Sequence, residues 1–155
     1  MRGGMRVEFK GYVFPDDLYY DVHHGWARVD GDVVVIGVTD FAQKLAGEIV
    51  YVELPRKGKK IEQGKPCLSL ESGKWVGRVY APFTGEVVEA NQALEDDASP
   101  INTDPYGDGW IIKVRVDPAV MEAEAAALMR AGPKLQEFIE AEIERIEREK
   151  AEKKG

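Results

Sequence analysis

A lysine amine that stands clear of a folded surface is a handle for acylation. Lys74 lies in a stretch that predicts such a position, Leu70-Glu71-Ser72-Gly73-Lys74-Trp75-Val76-Gly77. Ser72 and Gly73 are small and leave the approach open, and the residues on either side read as the arms of a hairpin. Two like segments bracket the stretch. The first starts Gly47-Glu48-Ile49-Val50-Tyr51-Val52-Glu53-Leu54 and runs to Pro66-Cys67-Leu68-Ser69-Leu70. The second starts Gly85-Glu86-Val87-Val88-Glu89-Ala90 and runs to Trp110-Ile111-Ile112-Lys113-Val114. Two like halves are expected to pack about a local two-fold axis, with their connection projecting from one end. A free lysine at such a tip is otherwise a hydrated cation, as most surface lysines are. Position alone makes Lys74 a candidate attachment point for a long carrier group.

Other residues able to do chemistry are few. The sequence has two histidines, His23 and His24, and one cysteine, Cys67, too few donors for a structural zinc site. A single cysteine excludes an internal disulfide framework and fits a reducing compartment. Cys67 sits in an apolar run, so it is expected to be buried and inert. The net charge of −7 argues against a general nucleic-acid surface. No apolar run approaches membrane-spanning length, and the basic Met1-Arg2-Gly3-Gly4-Met5-Arg6 is not followed by a signal-peptide core. The expectation is a cytoplasmic protein that binds neither membrane nor nucleic acid. Its 155 residues allow one domain with a real core and an appendage.

The elements that must position Lys74 are mostly strands. Residues 8–14 and 18–22 alternate as edge strands about Pro15-Asp16-Asp17. Asp30-Gly31-Asp32 joins Trp26–Val29 to Val33–Val38 as a hairpin. Thr39 to Gly47 predicts one short helix, capped by Thr39 or Asp40 and ended by Gly47. Strands follow at Ile49–Leu54, Cys67–Leu70, Trp75–Tyr80 and Trp110–Val116, the last closing the sheet, while 95–100 and 103–109 read as irregular. Many short strands with Gly and Pro punctuation predict a mainly β fold, a flattened β sandwich or barrel. After Asp117-Pro118 the composition turns helical, which divides the chain into a β domain (1–117) and a C-terminal helical extension (118–155). Gly132-Pro133 breaks the extension. Leu135, Phe138, Ile139, Ile143 and Ile146 then form one apolar face of a charged helix, with Glu144–Arg148 and Glu149–Lys153 paired on its solvent side. That face packs on the domain's own sheet, on a partner, or on a second copy.

Several motifs occur together in the chain. They are Ile36-Gly37-Val38-Thr39-Asp40-Phe41-Ala42-Gln43, Gly47-Glu48-Ile49-Val50-Tyr51-Val52-Glu53-Leu54-Pro55, and Glu71-Ser72-x-Lys74. Pro82-x-x-Gly85-Glu86-Val87-Val88-Glu89-x-Asn91 and Asp104-Pro105-Tyr106-Gly107-x-Gly109-Trp110 complete the set, which spans roughly residues 12–130 in order. Together they resemble the H-protein of the glycine cleavage system, a lipoyl-carrying member of the biotinyl/lipoyl carrier family. The resemblance implies the barrel-sandwich hybrid fold and lipoic acid in amide linkage on Lys74, attached by a lipoyl ligase or transferase. It implies a non-catalytic carrier that moves an aminomethyl group and electrons among three partners. These are a pyridoxal-phosphate glycine decarboxylase, a tetrahydrofolate aminomethyltransferase and dihydrolipoyl dehydrogenase.

The sequence departs from the family around the arm. Where the family usually reads Ser-His-Glu-Trp, this chain has His23-His24-Gly25-Trp26, and Arg78 stands where an acidic residue is common. In the family the serine and the carboxylates help to hold a cationic amine. Their loss, with a gained guanidinium, predicts a cleft that suits an anion, with His23 and His24 as added donors. Alternatively, His24 packs beside Trp26 and Arg78 is a solvated strand residue. Gly73 permits a left-handed turn, and Trp75 can shield the arm's root. A second function therefore stands beside glycine cleavage: an H-protein relative that carries sulfur intermediates for a heterodisulfide-reductase-like complex. A third is an unmodified interaction module whose terminal helix is the partner surface.

Overall fold

The computed structural model describes residues 5–154, so the Met1-Arg2-Gly3-Gly4 part of the leader reading lies outside them. The chain begins with β1 (Arg6–Phe9), β2 (Tyr12–Pro15), β3 (Tyr19–Tyr20), β4 (Gly25–Asp30) and β5 (Val33–Val38), followed by α1 (Asp40–Ala46). Next come β6 (Ile49–Glu53), β7 (Lys60–Ile61), β8 (Pro66–Ser72), β9 (Val76–Tyr80) and β10 (Gly85–Ala90). Two single-turn helices, α2 (Ala93–Asp96) and α3 (Pro100–Thr103), lead to β11 (Ile112–Arg115), α4 (Pro118–Ala125) and α5 (Pro133–Lys154).

Residues 8–14 are not one strand. The chain folds back at Lys10-Gly11, both at positive φ (54° and 86°), and β1 pairs with β2. Alternation of side chains cannot register a two-residue reversal inside it. The strand expected over 18–22 shrinks to β3, because the Asp21 carboxylate folds the following residues into a turn. Two short helices overlap the ends of the stretches expected to be irregular, α2 at residues 95 and 96 and α3 at 100 and 103. Pro100 opens α3 at the first helical turn, where its missing N–H costs nothing. The cap of α1 follows expectation: Thr39 Oγ1 accepts the Ala42 N–H at 3.1 Å, and Gly47 ends the helix at φ 80°.

Six strands form one sheet in the order β3-β4-β5-β11-β10-β7, and β6-β8-β9 form a second. β11 lies inside the larger sheet, with Ile112 opposite both Ile36 and Ala90, rather than closing an edge. The two like segments fall in different sheets and carry the same irregularity. The β6–β8 ladder shifts register between Ile49 and Tyr51, and the β10–β11 ladder shifts between Val87 and Glu89. Each bulge starts at the third residue of its Gly-Glu-Ile or Gly-Glu-Val opening.

The main core brings together residues of both sheets, including Ile36, Val52, Leu70, Phe83, Val87 and Ile112. A second core cluster contains Phe14, Tyr20, Trp26 and Phe41, and α5 adds Leu135 and Ile139 to it. Phe138, Ile143 and Ile146 pack against the same cluster. The apolar stripe of α5 is thus turned onto its own domain. Among the described residues, the ion pairs on α5 centre on Arg145, with Glu142 at 2.9 Å and Glu149 at 3.0 Å, in place of the expected Glu144–Arg148 and Glu149–Lys153 pairs.

Candidate functional site

Lys74 is the second residue of the two-residue turn Gly73-Lys74 that joins β8 to β9. Leu70 pairs with Gly77 and Glu71 with Val76, and the Ser72 N–H donates to the Trp75 carbonyl at 2.8 Å to close the loop. The Lys74 N–H points back to Ser72 Oγ at 3.3 Å. Gly73, Lys74 and Trp75 are exposed. Gly73 is not at positive φ, so the left-handed turn that glycine permits is not used, and a Cβ on it would meet nothing. This turn uses backbone that any residue adopts, so glycine supplies clearance rather than conformation.

The Trp75 ring folds back over β9. A Cβ on Gly77 would overlap the indole, so the absent side chain of Gly77 is what lets the ring lie there. Beside the ring opens a cavity of about 190 Å³, lined by Trp75, Ile49, Leu70, His23, His24 and others that are largely apolar, with Arg78 included and no carboxylate. Arg78 pairs with Ser69, which pairs with Glu53, so strand alternation places it on the outer face of the β6-β8-β9 sheet. It borders both this cleft and an outer groove shared with Lys59, Ser69 and Glu53. Glu71 lies in the neighbouring exposed row, Tyr51–Glu71–Val76.

The loop before β4 forms another part of the wall. Asp21 Oδ1 accepts the N–H groups of His23 (2.9 Å) and Gly25 (2.8 Å). Its Oδ2 is buried without a partner, and burial pushes the carboxyl above the usual range. His23 stacks on Tyr80 at 4.0 Å between ring centroids. His24 takes a left-handed backbone (φ 67°), unusual for a residue with a side chain. Its ring packs against Phe41 at 5.0 Å and Phe138 of α5 at 5.3 Å, rather than against Trp26. His24 Nε2 lies 2.7 Å from Glu142 Oε1, while Arg145 bonds the other carboxylate oxygen. Burial pushes the His24 pKa below its ordinary value, and Glu142 only partly opposes this. Burial thus favours the neutral imidazole, a hydrogen-bonding group rather than a cation.

Trp75, next to Lys74 in the turn, meets His23 and His24 at one cleft; Arg78 also borders it, while Glu71, Ser72, Gly73 and Lys74 itself do not line it. Sequence reading missed Asp21 and Glu142, and placed Phe138 only on the apolar face of α5. An Asp four residues before Gly25 is a legible turn signal, but nothing local to Glu142 tells it from the other glutamates of α5. Cys67 is buried, as expected, and burial pushes its thiol up to about 12. Among the described residues there is no cluster of three potential metal ligands, and no helix is long and apolar enough to cross a membrane.

Two sheets around a shared core, with a lysine at the tip of one hairpin, define the class as the barrel-sandwich fold of biotinyl and lipoyl carriers. The family profile described as Glycine cleavage H-protein matches residues 18–142. The chain is 46% identical over 140 residues to glycine cleavage system H protein 2 of Aquifex aeolicus, covering 87% of this chain and 86% of that one. It is 41% identical over 132 residues to the probable glycine cleavage system H protein 2 of Sulfolobus acidocaldarius, covering 83% and 89%. A crystal structure of a glycine cleavage system H protein from Mycobacterium marinum matches with a TM-score of 0.68 at 33% identity, covering 83% of this chain and 98% of that one. This chain belongs to the glycine cleavage H-protein family.

Proposed function

We propose that Lys74 carries lipoic acid in amide linkage and that the chain is a non-catalytic lipoyl carrier of glycine cleavage. It would take an aminomethyl group and electrons between the pyridoxal-phosphate decarboxylase, the tetrahydrofolate aminomethyltransferase and dihydrolipoyl dehydrogenase. One observation carries this reading: an exposed lysine at a closed hairpin tip stands beside an apolar cleft. When bound, the group supplies a dithiolane that opens by thiol–disulfide exchange and so accepts a carried group with two electrons. The residues fit it. Acylation removes the Lys74 charge, and Leu70, Ile49 and Trp75 offer apolar surface to an aliphatic arm. Ser72 holds the turn that aims the arm outward. Incubation with a lipoyl ligase and intact-mass measurement test the assignment. One lipoyl adduct is expected on the native chain and none on Lys74→Arg. A native chain that stays unmodified overturns it.

A second reading, a carrier of sulfur intermediates for a heterodisulfide-reductase-like complex, is favoured by a cleft lining with no carboxylate and with Arg78 at the rim. Loading by glycine decarboxylase separates the two. Ready amine transfer to the lipoylated chain excludes the sulfur reading. Poor transfer that improves in Gly25→Glu with Arg78→Asp supports it.

A further inference from the structure

The carboxylate that the cleft lining lacks stands immediately behind it. Glu142 Oε1 meets His24 Nε2 at 2.7 Å, and His24 is itself part of the cleft wall. The second Glu142 oxygen is occupied by Arg145, and the whole contact is partly shielded from water. A carboxylate can only accept, so with a neutral ring the shared proton sits on Nε2. Nδ1 is then an acceptor. It bonds to no protein atom among the described residues, and it is not among the buried polar atoms lacking a partner, so it is open. The left-handed backbone at residue 24 and the Phe41 and Phe138 rings fix the imidazole's orientation.

We propose that His24, held in this tautomer by Glu142, presents Nδ1 as the hydrogen-bond acceptor for an amine carried on the arm, which makes α5 part of the carrier's cargo site. The inference rests on the lipoyl assignment above. His24 is the contact residue and Glu142 the positioning residue. Glu142 stays paired with Arg145, so with the ring neutral the contact offers the carried amine an acceptor atom rather than a net charge. The charged groups facing the ring are Glu142 and Arg145 from α5, Asp21 from the preceding loop, and Arg78 at the rim.

Nitrogen-15 NMR of the histidine side chains in the full chain, at neutral pH, reads the tautomer directly. The native chain is expected to show the proton on Nε2. In Glu142→Gln the Nε2–H population falls, because an amide N–H can donate to that nitrogen instead. The second measurement is the rate at which the decarboxylase-loaded, lipoylated chain loses its amine as formaldehyde and ammonia. This is expected to rise several-fold in Glu142→Gln and to stay unchanged in Glu140→Gln, an exposed position on the same helix. A native ring protonated on Nδ1, or equal loss rates in Glu142→Gln and the native chain, overturns the proposal. A chain that takes no lipoyl group defeats the carrier reading instead, and the NMR result on that chain still decides the tautomer.

Discussion

Asp21 secures the loop before β4 at an electrostatic cost. One oxygen accepts two backbone N–H groups while the other is buried and unmatched, and burial raises the carboxyl's pKa. A raised acid favours folding at pH below its unfolded value, and that contribution is lost as the pH rises and the buried group is forced to ionise. Asp21→Asn keeps the accepting oxygen and cannot ionise. Its melting temperature relative to the native chain is therefore expected to climb as the pH rises above the ordinary 3.8 of the carboxyl, and a difference that is flat with pH counts against this account. Gly73→Ala, by contrast, meets open space at ordinary φ and is expected to leave lipoylation and stability within about 0.5 kcal/mol of native. Lys74 was legible because its neighbours are local to it. Asp21's buried oxygen was not, since burial is set by residues distant in sequence.

The α5 helix contributes more than its charged sequence suggests. Leu135 and Ile139 are buried, and full burial of such a side chain is worth about 1.5–3 kcal/mol. Removing residues 133–155 is expected to cost roughly 3–6 kcal/mol in denaturant unfolding, with no change in oligomer size by light scattering. The contact is also sensitive to acid. Burial lowers the His24 pKa, so the unfolded chain takes up a proton near its ordinary 6.5 while the folded one resists. That contribution is full above this value and declines as the pH falls. Glu142 acts in the same direction at lower pH: burial opposes its ionisation, but bonds from Arg145 and His24 prevail and hold its carboxyl below the ordinary 4.5. Protection of the α5 amides against hydrogen exchange, taken relative to their intrinsic rates, is expected to fall between pH 7 and pH 5. The effect should flatten in His24→Asn, a residue that tolerates positive φ and does not titrate. The periodicity of α5 was readable from its sequence, but the surface that receives it was not. The Lys10-Gly11 reversal was missed for a related reason, because two residues at positive φ leave no mark on an alternating pattern.

The whole molecule is a repeated β unit to which a second core has been added. The repeat was visible as two like openings, and the matched bulges at Ile49–Tyr51 and Val87–Glu89 give it a backbone counterpart. The second core was less visible, because it joins residues 14–41 to 106 and then to 135–146. Its centre is unforgiving. Trp26 is fully buried with its Nε1–H donating to the Pro105 carbonyl, and a Cβ on Gly37 would stand 2.7 Å from the ring. Gly37→Ala is expected to cost roughly 1–3 kcal/mol or more, measured by thermal unfolding, and to disturb the wall at His24 through the β4–β5 ladder. The seating of α5 on residue 24 also imposes an order of events. On a ribosome the hairpin bearing Lys74 emerges some sixty residues before Glu142, so the proposed anchorage can take shape while the cleft beside it still lacks the α5 side.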